Sequence, residues 1–227
     1  MPTESSGAVS IEGGKPKPRP LKRRTKQEQR DESIERILNA ALQLFITKGF
    51  NATRTEEIGA LAGLTKGAVY FYFGEKTAVL LALLERVHAK VFEPLSRRLE
   101  RRRGTPFNRV RDFLRQQAKL ARDDPGMLLL PIMVSIEFAG ADNEPGRRVR
   151  WGYRHTGRLL AAVIEEGQSD GVFRRDLKPA QQASLILALN DGAMLEWWRS
   201  EPRSTGRDLV DSLYTVLMSG IQVSPEV

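Results

Sequence analysis

The chain has 227 residues, 41% of them hydrophobic, with a formal net charge of +8, an isoelectric point near 10.0 and no cysteine. That length suits one large packed unit or a small one joined to a larger, and the excess of cations favours anionic partners, of which nucleic acid is the commonest. Without cysteine there can be no disulfide framework, thiolate zinc site or cysteine nucleophile, and nothing in the composition requires an oxidising compartment.

The first residues lack the basic start and apolar run of a signal peptide, and no later stretch approaches roughly 18 uninterrupted apolar residues. The expectation is a cytoplasmic protein with no membrane partner. Residues 1–30 are rich in Pro, Gly, Ser and charge and show no apolar periodicity, so they read as a flexible arm. Eight cations (Lys15, Lys17, Arg19, Lys22, Arg23, Arg24, Lys26 and Arg30) stand there against Glu4, Glu12 and Glu28. Such a run is either a solvated tail or a basic arm that touches DNA phosphate or a minor groove.

After the arm, Ile34, Ile37, Leu38, Ala41, Leu42 and Phe45 recur at helical spacing, and Gly49 stops the run. Thr53-Arg54-Thr55-Glu56 reads as a capping box, with Thr55 as a competing cap, and residues 57–62 predict a short second helix closed by Gly63. Thr65 caps a third short helix over residues 66–72. Two short helices joined by a glycine-containing turn have the geometry of a helix-turn-helix. A long helix is expected from about Glu75 past Leu99, bent by Pro94. Further helical segments are expected at 107–122, 126–139, 145–168, 180–199 and 206–221. No strand-like alternation of useful length and no internal repeat is present, so the fold class is all-α.

The second short helix of a helix-turn-helix enters the major groove N-terminus first. Here it opens with Lys66, Gly67 and Ala68 behind the Thr65 cap. Lys66 can donate to guanine O6 or N7, Gly67 lets the backbone approach the bases, and Ala68 can meet a thymine methyl. The aromatic run Tyr70, Phe71, Tyr72 and Phe73 cannot all point inward from one helix. Val69 and Phe73, four apart, are expected in the core, which leaves the hydroxyls of Tyr70 and Tyr72 available for phosphate. Lys76 begins the long helix, where the dipole and free amides already favour an anion. Taken singly, these residues serve most often as caps, core or solvated cations. Their joint spacing argues for DNA, most strongly at Lys66, Gly67, Tyr70 and Lys76.

Gly49-Phe50, residues 53–58, Ala62-Gly63-Leu64-Thr65-Lys66-Gly67-Ala68-Val69-Tyr70 and Phe73-Gly74-Glu75-Lys76 together resemble the TetR family of bacterial regulators, over about 50 residues. The resemblance implies a three-helix DNA-binding head, a long linking helix and a larger helical body that binds an effector and dimerises. It also implies phosphate contacts from Thr55, Tyr70, Tyr72 and Lys76, and places Arg54, Thr65, Lys66, Gly67 and Ala68 nearest the bases. Tyr72 stands where histidine is common in the family. The expected division is an arm at 1–30, a DNA-binding domain at 31–77, an effector-binding and dimerisation domain at 78–222, and a tail at 223–227.

In the body, residues 127–138 are nearly all apolar, interrupted by Pro131, and must be buried on most sides. In a regulator of this type the middle helices surround a cavity. Met127, Met133, Glu137, Phe138, Trp151 and His155 are candidates to line it, the first kind by adapting to apolar ligands and Glu137 or His155 by fixing a polar group. Simple packing is the competing role for each. Leu185, Leu189, Ala193 and Trp197 describe one apolar helix face, and Leu209, Leu213 and Leu217 another. By the resemblance these two helices pair with their copies in a homodimer. Asn190-Asp191 sits in that apolar stretch and needs a hydrogen-bonding partner.

The expected function is therefore a sequence-specific regulator of transcription that binds double-stranded operator DNA as a homodimer, most simply a repressor released by a small-molecule effector, with activation as the alternative outcome. No cofactor or metal motif is present. With two histidines, no phosphate loop and no metal-spaced histidine pair, an enzyme is not expected. A basic helical interaction protein without operator specificity is the reading from another class, and it leaves the small-residue tip at 65–68 unexplained.

Overall fold

The computed structural model describes residues 25–101, 103–200 and 206–222. Among them the chain is built of α-helices, with no β-strand and an isolated bridge between Phe173 and Gln222. The first helix, α1 (Lys26–Lys48), starts at a capping box: the Thr25 hydroxyl accepts the Glu28 amide at 3.1 Å, and the Glu28 carboxylate accepts the Thr25 amide at 2.7 Å. Residues 26–30, expected in the arm, are therefore helical, because a local cap outweighs a polar composition. The rest of the arm and the tail at 223–227 lie outside the described residues. Ile37, Leu38, Ala41 and Phe45 bury the inner face of α1, and Gly49 closes it at φ 87° with its amide on the Phe45 carbonyl.

Two short helices follow, α2 (Thr55–Leu61) and α3 (Lys66–Phe73). Their close packing depends on Gly59, where a Cβ would lie 3.0 Å from the Thr65 carbonyl carbon. Gly63 makes the turn at φ 64°, and the Arg36 guanidinium reaches from α1 to donate to its carbonyl at 3.1 Å. The expected capping box at Thr53 is not the one formed. The Thr53 hydroxyl turns back to donate to the Gly49 carbonyl at 2.7 Å, while Glu57 accepts the Arg54 amide at 2.9 Å and the Lys48 ammonium at 2.5 Å. Arg54 is thus the N-cap, and Thr55 is buried at the first helical position.

A long rod, Lys76–Glu100, connects this head to the body. It comprises α4 (Lys76–Val87), a π-turn (His88–Phe92) and α5 (Glu93–Glu100). Pro94 has no N–H to return to the preceding turn, and the helix widens just before it, with the Glu93 amide reaching the His88 carbonyl. Where a bend is expected at Pro94, the helix carries a π-turn in the five residues before Glu93.

The body contains α6 (Pro106–Asp123), α7 (Pro125–Glu137), α8 (Glu144–Ser169), α9 (Pro179–Arg199) and α10 (Gly206–Ile221). Its core includes Phe113, Leu129, Leu130, Leu160, Val163, Ile164 and Phe173, each almost wholly buried, and each side chain of this size stabilises the fold by about 1.5–3 kcal/mol. Inside this core the guanidinium of Arg109 is held by Glu166 at 2.6 Å and by the Leu99 carbonyl, tying α6 to α8 and to the end of the rod. Helix α7 is the contact with the head. Gly126, near its start, faces Leu42 of α1 so closely that a Cβ would lie 3.0 Å from that side chain, and Glu137, its last residue, reaches the backbone just after α1.

Candidate nucleic-acid interface

Helix α3 is anchored to the head by Val69, which is buried, with Phe73 partly buried against the core. The Thr65 hydroxyl accepts the Ala68 amide at 3.1 Å, which fixes where the helix starts. Thr65, Lys66 and Gly67 are exposed, Ala68 is half-buried, and Tyr70 is exposed on the same outer surface. The tip expected from the sequence is therefore presented to solvent as one patch. Arg54, at the start of α2, is exposed as well, while Tyr72 is half-buried with the Arg30 guanidinium 5.9 Å over its ring.

The Lys66 ammonium pairs with the Glu56 carboxylate and lies 5.7 Å from the Tyr70 ring. Their hydrogen bond raises the Lys66 pKa and lowers that of Glu56, so both stay ionised near neutrality. Both side chains are about half exposed. A surface pair of this kind is weak, so a base edge or phosphate can take the place of Glu56.

Phe71 escaped the sequence reasoning, although it is 76% exposed and its ring packs only edge-on against Tyr72 at 5.1 Å. The signal was available: two positions on from the buried Val69 is 200° around the helix, hence outward. A solvated phenylalanine next in the helix to Tyr70 gives the exposed side of α3 an apolar contact suited to a thymine methyl.

Two expected phosphate ligands are placed differently. Thr55 is buried, which withdraws its side chain from the outer surface. Lys76 turns inward to the loop at 49–53: its ammonium donates to the carbonyls of Phe50 at 2.6 Å, Thr53 at 2.8 Å and Asn51 at 3.4 Å, and it lies 4.3 Å from the Phe50 ring centroid. Burial lowers its pKa, and the nearby charge of Glu137 opposes that shift. An ammonium one residue into α4 has no helical carbonyl to use, and the loop supplies three.

The expected effector set also divides. Glu137 accepts the amides of Phe50 at 2.7 Å and Asn51 at 2.5 Å, and the Phe138 ring lies 5.5 Å from that of Phe50, so both stand at the junction between head and body. Met127 is buried in the core and Met133 is half-buried. Trp151 lines an open groove of about 590 Å³ between α4 with its π-turn and α8, together with Leu84, His88, Phe92, Arg148 and Arg154. His155 stacks on Trp151 at 5.0 Å, and His88 lies 5.5 Å from it on the other element. Gly152 allows this approach, since a Cβ there would lie 2.7 Å from the Phe92 ring.

On α9, Leu185 and Leu189 are exposed, while Ala193 and Trp197 are half-buried. On α10, Leu213 is half-buried and the Leu209 side chain lies outside the described residues. Leu217 is only 4% exposed and packs within its own chain, whereas Val216 faces out. The face expected from the spacing is thus rotated by one residue at that point. Asp191 finds its partner in the Tyr153 hydroxyl, and burial pushes its pKa up to about 6. Among the described residues no three His, Asp or Glu side chains gather as metal ligands, and no single helix is long and apolar enough to cross a membrane.

Comparison with known proteins agrees with this architecture. Residues 37–83 match the model of the bacterial regulatory proteins of the tetR family. The MbdR regulator from Azoarcus sp. CIB superposes with a TM-score of 0.77 at 36% identity, covering 84% of this chain and 100% of that one. The transcriptional repressor BepR of Brucella suis is 25% identical over 88% of this chain and 95% of its own length, and the repressor NemR of Escherichia coli is 26% identical over 71% and 82%. With the helix-turn-helix exposed on a three-helix head and carried by a helical body, this chain belongs to the TetR family and is a DNA-binding regulator of transcription.

Proposed function

We propose that the protein is a homodimeric repressor that reads its operator with α3 and leaves it when a small molecule occupies the body. The observation that carries this reading is the outer surface of α3, where Thr65, Lys66, Gly67, Tyr70 and Phe71 are all exposed on a helix whose opposite side is fixed by buried Val69. Arg54, Thr65, Lys66 and Gly67 meet base edges with Ala68 and Phe71 beside them, and Tyr70 and Tyr72 hold the flanking backbone. Thr55 and Lys76 act behind this surface by fixing α2 and the loop before it. Two such heads, carried by a dimer joined through the exposed Leu185, Leu189 and Val216, enter successive major grooves about 34–36 Å apart. Support for repression comes from the relatives, since BepR and NemR are both named repressors.

The groove at Trp151 is our candidate for the effector site. Phe92, Trp151 and His88 offer flat surface, while Arg148 is already paired with Glu85 at 3.1 Å and Glu144 at 2.9 Å, which line the groove too, so it fits a molecule with an aromatic or apolar body. Its floor includes the π-turn of the rod, so a ligand there pushes directly on the helix that carries the head.

The test is to pass the full chain over a random-sequence duplex pool at moderate salt and sequence what is retained. A repeated motif in two half-sites about one helical turn apart is the expected result. Retention of all sequences alike would favour a basic interaction protein instead.

A further inference from the structure

We propose that Glu137 is a positioning residue for DNA binding: a two-amide clasp through which body helix α7 sets the orientation of the head. The proposal rests on the reading of α3 as the DNA-contacting helix.

Glu137 is the last residue of α7, where the helix dipole disfavours an acid and a lysine or arginine would be the ordinary choice. The acid there has a specific occupation. Its two carboxylate oxygens accept the consecutive amides of Phe50 and Asn51, 87 and 86 residues away in sequence. These are charge-assisted bonds, about twice as strong as neutral ones. Gly49 lies directly under the carboxylate, where a Cβ would come within 3.4 Å of an oxygen.

The loop so held is gripped from three sides. Lys76 holds the carbonyls of Phe50 and Asn51, so the Phe50–Asn51 peptide group is polarised from both ends, its carbonyl by Lys76 and its amide by Glu137. The Phe50 ring fills the joint between Phe45 of the head at 5.3 Å and Phe138 of the body at 5.5 Å. The loop leads directly into α2, whose packing on α3 fixes the base-reading tip. Glu137 is therefore two short steps from the DNA surface without touching it.

The clasp is suited to two states because both bonds come from one carboxylate and fail together when α7 shifts. Pro131, six residues earlier, has no amide for the Met127 carbonyl, which gives the end of α7 a point at which to flex. A change in the body that moves this last turn releases the loop, and with it Lys76 and α2.

The experiment uses the full-length protein with Glu137→Ala and Glu137→Gln, and as probe one duplex selected from a random pool by the parent, beside a shuffled duplex. Glutamine keeps one acceptor oxygen but turns a donor toward the second amide. Hydrogen exchange at residues 49–53 should quicken about tenfold or more in Glu137→Ala and by less in Glu137→Gln. Affinity for the selected duplex should fall about tenfold in Glu137→Ala, with Glu137→Gln between it and the parent, while affinity for the shuffled duplex changes less than about twofold. Thermal melting monitors folding, and only variants that melt as one transition are compared. Exchange at the loop unchanged in Glu137→Ala, or faster exchange with parental affinity and selectivity, overturns the clasp. Equal loss on both duplexes also overturns it, because general weakening of the head lacks sequence selectivity. Failure of the parent itself to select any duplex would count against the DNA reading and not against Glu137.

Discussion

The ammonium of Lys76 lies 2.6 Å from the carbonyl oxygen of Phe50, so the first cation of α4 is held inside the head. Replacing Lys76 with Ala leaves three loop carbonyls without this partner and should destabilise the protein by about 1–3 kcal/mol. It should weaken binding to the operator several-fold, because the loop that positions α2 is loosened. The dependence of log affinity on log salt should keep the parental slope. A slope shallower by about 1 would instead show that Lys76 contacts a phosphate in the complex.

Lys66 and Glu56 form an exposed pair at the start of α3, and on the proposed reading of that helix DNA displaces the carboxylate to use the cation. Replacing Glu56 with Gln removes that competitor and should tighten binding to all duplexes about two- to fivefold. Replacing Lys66 with Ala should cost about 1–3 kcal/mol on the preferred operator and relax preference at one base position. Fluorescence anisotropy with single-base operator variants checks both. Preserved preference at every position in Lys66→Ala would remove this residue from base reading.

Asp191 gives stability a pH dependence opposite to that of a salt-bridged acid. Burial raises its folded pKa to about 6 from an ordinary 3.8, so the protonated form is the one the fold favours. Its contribution is full below about pH 4 and is lost as pH rises through 6, by about 3 kcal/mol in all. Chemical denaturation of the parent should show this decline between pH 4 and 6, superposed on other titrations. In Asp191→Asn that part of the decline should vanish. An identical pH profile in the two proteins would place the Asp191 carboxyl in water.

The helices were legible because their ends are chosen locally. Gly49 and Thr65 act through bonds to residues three or four positions away, and that range lies inside any sequence window. Thr53 and Thr55 offer equally good hydroxyls to a sequence reading, but neither caps α2: Arg54 is the N-cap, and Glu57 accepts its amide while pairing with Lys48 across the head. Glu137 is expected from the sequence to fix a polar group of an effector and not to bind the amides of Phe50 and Asn51, since nothing in sequence links positions so far apart. Leu217 and Val216 show the same limit at the end of the chain. Both are apolar, and only the packing of α10 on the body decides which one is buried.

The reading of α3 as the base-contacting helix is tested most directly at Gly67. This residue is exposed, and a Cβ there would meet nothing closer than the Thr65 hydroxyl at 3.7 Å, so a side chain is tolerated by the fold. Aspartate in the first turn of a helix is favoured by the dipole, yet at this position it sets a negative charge and added bulk against the DNA. Measured by anisotropy on a duplex selected by the parent, Gly67→Asp should lose at least about 100-fold in affinity while melting at or above the parental temperature. Parental affinity in a folded Gly67→Asp protein would contradict the placement of α3 in the major groove.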